Sequence, residues 1–244
     1  MQDCEDIIVV GSGASGAAAA LQCSGFRLKT LLVDVGISSE DSTNSSKHYY
    51  DRKKSENLED LLLGRDLEGL EAALDGSELP FKLSMPLLKY ITRREFDLPP
   101  RVSDAQLIST HAFGGLANGW SCGLYEYNER DLLGFPFAAS DLAPYYSKLC
   151  REAGIVGRLD DLQPFFGNNI SQDFSTISRK CGYLEEKYHA RKEKLQENNG
   201  FYLGRARVAL AGAKPGEQNG YELMANGEAL YVPAQTVRRL LLRK

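Results

Sequence analysis

Histidine is scarce in this chain, no cysteine pair has metal-ligand spacing, no apolar run is long, and basic residues are not in excess. Each deficit removes a class of function. No stretch approaches the roughly 20 consecutive apolar residues that a membrane-spanning helix needs. The N-terminus, Met-Gln-Asp-Cys-Glu-Asp, is acidic where a secretory signal needs a basic start, so a cytoplasmic protein is expected. Cys4, Cys23, Cys122, Cys150 and Cys181 form no CxxC pair, which argues against a zinc site or a dithiol redox motif. With 29 Lys+Arg against 33 Asp+Glu the net charge is −4, and nucleic acid is not the expected partner. Only His48, His111 and His189 offer imidazoles, each expected to be structural or at the surface. No metal site is expected; adjacent Asp160 and Asp161 read as turn residues.

The composition that remains is that of an ordinary globular protein. The chain has 244 residues, 43% hydrophobic and 25% charged, enough to bury a sizeable core.

The strongest pattern lies in the first forty residues. Asp6-Ile-Ile-Val-Val10 is a β-branched run that ends at glycine, as a buried parallel strand does. Gly11-Ser-Gly13-Ala-Ser-Gly16 follows, then a helix-forming small-residue segment, Ala17 to Cys23. A second strand, Thr30 to Val33, ends in Asp34. Strand, GxGxxG, helix, strand and acid make the dinucleotide-binding arrangement. Gly11 permits the turn, Gly13 lets backbone approach a pyrophosphate, and Gly16 lets the helix pack on the sheet. The helix N-terminus offers N–H groups to that pyrophosphate. A carboxylate at Asp34 suits ribose hydroxyls and disfavours a 2′-phosphate, so FAD or NAD is expected rather than NADP.

Downstream, residues 37–57 are serine-rich and polar. Leucines over 56–75 have helical spacing, interrupted at Gly64, and four prolines exclude a long helix over 80–100. One charged helix is expected over Glu185–Glu197, and another over Pro233–Leu242 with Val237, Leu240 and Leu241 on one face. A second glycine cluster, Gly114-Gly-Leu-Ala-Asn-Gly-Trp120, marks a place where side chains would be in the way. Taken alone, it reads first as a plain structural turn with one buried Trp.

Together these segments resemble the glucose–methanol–choline family of flavin oxidoreductases and are similar to its pyranose oxidase-like branch. The specific motifs are Val10–Gly16 with Val33-Asp-Val-Gly36, and Gly114–Trp120. Phe135-Pro-Phe-Ala-Ala-Ser-Asp-Leu-Ala-Pro-Tyr-Tyr146, Gly204-Arg-Ala-Arg-Val208 and Leu230–Val237 support them. The resemblance implies an α/β, Rossmann-like FAD-binding fold with helical insertions. It is divided as 1–36 (first βαβ), 37–110 (insertion or cap) and 111–244 (remaining FAD-binding region). It also implies FAD held by Gly11, Gly13, Ser15, Gly16 and Asp34, and by Gly114, Gly115, Ala117 and Asn118. Ala117 stands where these proteins often have a hydroxyl residue. Gly119 stands where pyranose oxidases carry a flavin-linked histidine, so the FAD is expected to be non-covalent.

The implied reaction is hydride transfer from an alcohol or sugar hydroxyl carbon to flavin, with no catalytic residue assignable. The family's histidine belongs to a C-terminal substrate domain for which this sequence has no counterpart. A second chain or a missing C-terminal half would supply it, and the isolated chain is expected to be inactive. The alternatives are a non-catalytic FAD- or NAD-binding module, or a truncated, inactive product.

Overall fold

The computed structural model describes residues 4–38, 57–70, 83, 88–93, 108–173, 177–211 and 230–242. His48 and nearly all of the serine-rich segment lie outside the described residues. The chain is an α/β protein that groups into two compact units: Met1–Ser121 with Val232–Lys244, and Cys122–Tyr231. Among the described residues, the first contains a two-stranded parallel sheet and the second a three-stranded mixed one.

In the first unit, β1 (Ile7–Val10) pairs in parallel with β2 (Thr30–Val33), in register from Ile7 opposite Thr30 to Val10 opposite Val33. Helix α1 (Ala14–Gly25) connects them. It begins three residues before the segment expected from sequence. Its inward positions, Ala17 and Ala20, are small and buried. Helix α2 (Leu58–Leu63) stops at Gly64, whose φ of +87° suits glycine, as the leucine pattern predicts. A short α3 (Lys89–Thr92) buries Ile91. A 3₁₀ turn (Gly115–Gly119) follows from the second glycine cluster.

The sheet departs from expectation. A parallel strand is ordinarily covered on both faces, yet Ile8 is 63% and Val10 82% exposed, with Leu31 and Val33 also exposed beside them. Only alternate positions turn inward. A contiguous apolar face of this kind favours association. Size-exclusion chromatography should show concentration-dependent self-association. The double variant Ile8→Thr/Val10→Thr, which keeps β-branching, should move the protein towards monomer. Identical elution of both proteins at all concentrations would refute this.

In the second unit the strand order is β4–β3–β5. Helix α4 (Ala139–Ala153) leads through Gly154 into β3 (Ile155–Gly157). After α5 (Gln163–Phe166), β4 (Gln172–Asp173) joins β3 in parallel. Helices α6 (Arg179–His189) and α7 (Lys192–Asn199) precede β5 (Val208–Ala209), which runs antiparallel to β3. Val156 and Leu210 form a core cluster with Val208 and Leu230.

The single charged helix expected over 185–197 is therefore two. The chain tightens where the Arg191 N–H bonds the Tyr188 carbonyl at 2.9 Å. Nor is this segment simply a solvated face. Tyr188 is buried, and the Arg205 guanidinium grips Glu185 through Nε–Oε1 at 2.6 Å and Nη2–Oε2 at 2.9 Å. His189 is exposed, as expected.

The Asp160–Asp161 pair divides its work. Asp160 Oδ1 accepts from the Leu162 N–H at 3.0 Å, a turn-type bond, and its Oδ2 accepts from the Arg205 N–H at 2.6 Å. Asp161 accepts from Lys192 Nζ at 2.5 Å, Tyr188 Oη at 2.8 Å and Gln196 Nε2 at 3.3 Å.

The hydrogen bond from Lys192 holds the Asp161 carboxyl below the ordinary aspartate range, and Tyr188 adds to it. Arg205 does the same for Glu185. The unfolded chain therefore takes up these protons first as pH falls. Both pairs stabilise fully above the ordinary carboxylate pKa and lose their contribution as pH drops through the lower folded values, below about 4. The thermal midpoint of Asp161→Asn should fall less steeply than wild type over that acid window. Parallel curves would remove Asp161 from the account.

The last helix, α8 (Pro233–Leu241), begins with proline in its first turn as predicted. Its packed face differs from the expected one. Pro233, Ala234, Thr236 and Val237 are buried, while Leu241 is 70% exposed. The helix lies on α1 and on the 3₁₀ turn of the same unit. Among the described residues, no helix is long and apolar enough to cross a membrane.

Candidate functional site

The two glycine clusters are a hundred residues apart in sequence and meet in the first unit. Gly11, at φ +91°, turns the chain out of β1, and its N–H donates to the Val33 carbonyl at 2.7 Å. Gly16 sits in the first turn of α1 over that same loop. A Cβ at Gly16 would lie 1.8 Å from the Gly11 carbonyl oxygen, so no larger residue fits. This is the close helix–strand approach that the third glycine of the motif provides. Gly13 is the N-cap of α1 and supplies no side-chain cap. The N–H groups of Ala14, Ser15 and Gly16 thus start the helix without intrahelical partners, and no acidic residue lies in this turn. Ser15 is exposed there.

Asp34 occupies the end of β2 and faces the glycine loop. Its Oδ2 accepts from the Ser12 N–H at 2.6 Å and its Oδ1 from the Gly36 N–H at 2.7 Å. The carboxylate clasps the two strand ends together. Each oxygen has a further lone pair for a ligand hydroxyl.

Beyond Gly36, Ile37 bridges Ala112 in parallel. The Ile37 N–H donates to the His111 carbonyl at 3.1 Å, and the Phe113 N–H to the Ile37 carbonyl at 2.8 Å. This pairing carries the second cluster to the first. Gly114 (φ +94°) and Gly115 (φ +70°) are both left-handed. A Cβ on Gly115 would lie 2.9 Å from Gly13 Cα, so backbone abuts backbone. The Gly114 N–H donates to the Ser12 hydroxyl at 2.7 Å, in full burial.

Asn118 Nδ2 reaches back to the Phe113 carbonyl at 2.8 Å and fixes the 3₁₀ turn that holds the half-buried Ala117. Gly119 faces Leu83 and Ile91; a Cβ there would come 2.6 Å from Leu83 Cδ2. From the other side, the Ala234 methyl of α8 would lie 2.9 Å from a Cβ on Gly114.

All nine residues selected from sequence, Gly11, Gly13, Ser15, Gly16, Asp34, Gly114, Gly115, Ala117 and Asn118, lie in these abutting segments. Sequence reasoning missed Ser12 and Ala234. Ser12 links Asp34 to Gly114, yet it occupies a variable position of GxGxxG. Its polarity between two glycines was the available signal. Ala234 carries none. The titratable side chains of residues 11–16, 34–37 and 111–119 are Asp34 and His111. Among the described residues, no group of His, Cys, Asp and Glu could hold a metal ion.

These segments offer donors for an anion and a carboxylate for hydroxyl groups, the residues that could hold a nucleotide. The uncapped helix start favours phosphate, no described atom beyond Gly11 and its two chain neighbours comes within 4 Å of where a Cβ on Gly11 would stand, and a carboxylate follows β2. Compared with family models and with curated proteins, the chain matches neither.

Proposed function

We propose that this chain is the FAD-binding part of a flavin oxidoreductase, with a Rossmann-like first unit, that acts on an alcohol or sugar hydroxyl. One observation carries the reading: the GxGxxG helix start, the carboxylate at Asp34 and the Gly114–Gly115 turn lie together, tied by Ser12. Bound flavin supplies a hydride acceptor for a CH–OH group. The chain's own residues supply binding and orientation. Ala14, Ser15 and Gly16 N–H groups hold the pyrophosphate. Asp34 orients the adenosine ribose. Gly114, Gly115, Ala117 and Asn118 form a side-chain-poor floor that lets the rest of the cofactor lie close to backbone. Gly119 offers no atom for a covalent link at its position, in keeping with a non-covalently held cofactor.

Turnover is a separate matter. Asp34, the one carboxylate in these segments, accepts a backbone N–H on each of its oxygens and so serves the clasp rather than proton transfer. This favours, as second reading, a module that holds FAD or NAD while another polypeptide segment supplies the acid–base chemistry.

The test is an absorbance spectrum of the purified chain after incubation with FAD and removal of free ligand. Retained bands near ~375 and ~450 nm, the flavin's own, are expected. Bleaching on addition of an alcohol or sugar would establish the reaction, and retention without bleaching would favour the module. A folded chain that retains no flavin would refute the FAD reading.

A further inference from the structure

The second unit holds a mostly apolar cavity of about 90 Å³. Three rings, Tyr125, Tyr146 and Phe166, wall it together with Leu124, Leu149 and Ile155. The Tyr125 and Phe166 rings pack with centroids 4.3 Å apart. Behind them, Arg207 is 1% exposed and its Nη1 donates to the Phe166 carbonyl at 2.5 Å. Gly157 of β3 leaves room for the arginine stem, since a Cβ there would lie 3.0 Å from Arg207 Cγ. These contacts fix the wall in advance, and a preformed cavity costs its guest little ordering.

The polar groups of the lining are engaged with neighbours. Glu126 Oε1 accepts from Asn169 N at 2.8 Å and Nδ2 at 2.9 Å, and Ser147 Oγ donates to Asn169 Oδ1 at 2.7 Å. Tyr146 Oη accepts from the Tyr127 N–H at 3.2 Å. The Cys150 thiol, 4% exposed, lies 3.5 Å from Ser171 Oγ. The space is several times what one water needs, but an ordered water wants roughly two to four polar partners, and apolar cavities stay dry. Left empty, the rings and aliphatic groups forfeit dispersion contacts on that side. A neutral apolar guest restores them.

Size and charge narrow the class. An apolar cavity of about 150 Å³ takes benzene or xenon; this one is smaller. Glu126 is the one acid on the lining, and Arg207 lies close enough to interact with it, so an added cation meets a like charge. The exposed members of the lining are Tyr125 and Leu149, which puts the mouth at these two.

We infer that this cavity binds a small neutral apolar molecule of a few heavy atoms, which enters past Tyr125 and Leu149. The site shares no residue with the flavin reading and is independent of it.

Xenon is the probe. It is applied at rising pressure to the full chain with ¹³C-labelled methyl groups. The Leu124, Leu149 and Ile155 methyl resonances should move saturably, while those of Val9 and Ile91 in the first unit move only slightly and linearly. Cys150→Leu puts a branched hydrocarbon into the space, and the apparent xenon affinity should fall roughly tenfold or more. Should that variant fail to fold, the locality of the wild-type response decides. Methylammonium, added with sodium chloride as the ionic control, should leave the xenon shifts in place. Shifts that never saturate, or that spread equally over both units, overturn the site. So does a folded Cys150→Leu protein with the wild-type response. Displacement of xenon by methylammonium overturns the neutral class.

Discussion

Gly16→Ala is expected to destabilise the first unit by about 3 kcal/mol or more, at the upper end of what overpacking costs. The added methyl would lie 1.8 Å from the Gly11 carbonyl oxygen, with the Gly11 carbonyl carbon at 3.0 Å and Val9 Cγ1 at 3.5 Å. The first two are backbone, and the Gly11–Ser12 peptide that carries them is fixed by the bond from the Ser12 N–H to Asp34. Relief requires that α1 lift from β1, which breaks the packing of Ala17 and Ala20. It also moves the helix start away from the proposed pyrophosphate position. Urea unfolding of the variant should show the loss in midpoint with little change in slope, and flavin retention should fall with it. Gly25→Ala is the control. It lies in the same helix, with nothing within 4 Å of its Cβ position, and should stay close to wild type. A Gly16→Ala protein as stable as that control would mean that α1 does not pack as described.

The Gly16 constraint was legible in the sequence because it is local. A β-branched run ending in glycine, and glycines at fixed offsets before a helix, specify their own geometry within a few residues. For that reason β1, β2 and the start of α8 stand where the sequence places them. What the sequence could not carry is which neighbours cover a surface. The β1–β2 residues read as a fully buried sheet, yet Ile8 and Val10 face outward. Hydrophobicity states a preference for burial but does not provide the covering layer. In α8, Val237, Leu240 and Leu241 have helical spacing, but small residues admit the closer contact, so Ala234 and Thr236 face inward and Leu241 does not. The break between α6 and α7 was hidden because Tyr188, Lys192 and Gln196 keep i, i+4, i+8 spacing across it and still converge on Asp161. The burial of Arg207 had no local signal. It depends on Gly157 and Phe166, some fifty and forty residues upstream.

Asp34→Asn separates two roles of one carboxylate. An asparagine offers a single acceptor oxygen, so it can satisfy the Ser12 N–H or the Gly36 N–H but not both. Its amide NH₂ would then face the other donor. The ligand-free protein is expected to lose about 1–3 kcal/mol, the cost of one buried or half-buried donor left unpaired and one charge-assisted bond weakened. If the carboxylate also holds the adenosine ribose, flavin affinity measured well below the unfolding midpoint falls by a further factor of roughly ten, the effect of losing about 1.4 kcal/mol of binding. A second variant, Ser12→Ala, removes the acceptor of the Gly114 N–H and leaves the Asp34 carboxylate intact. It should cost similar stability while the titration of FAD against its adenosine half, ADP, changes less than in Asp34→Asn. ADP isolates the ribose and pyrophosphate contacts from those of the flavin ring. If both variants weaken ADP equally, Asp34 acts only by shaping the loop, and the ribose lies elsewhere. If Asp34→Asn alone weakens it, the carboxylate that ties β1 to β2 is also the one that reads the nucleotide.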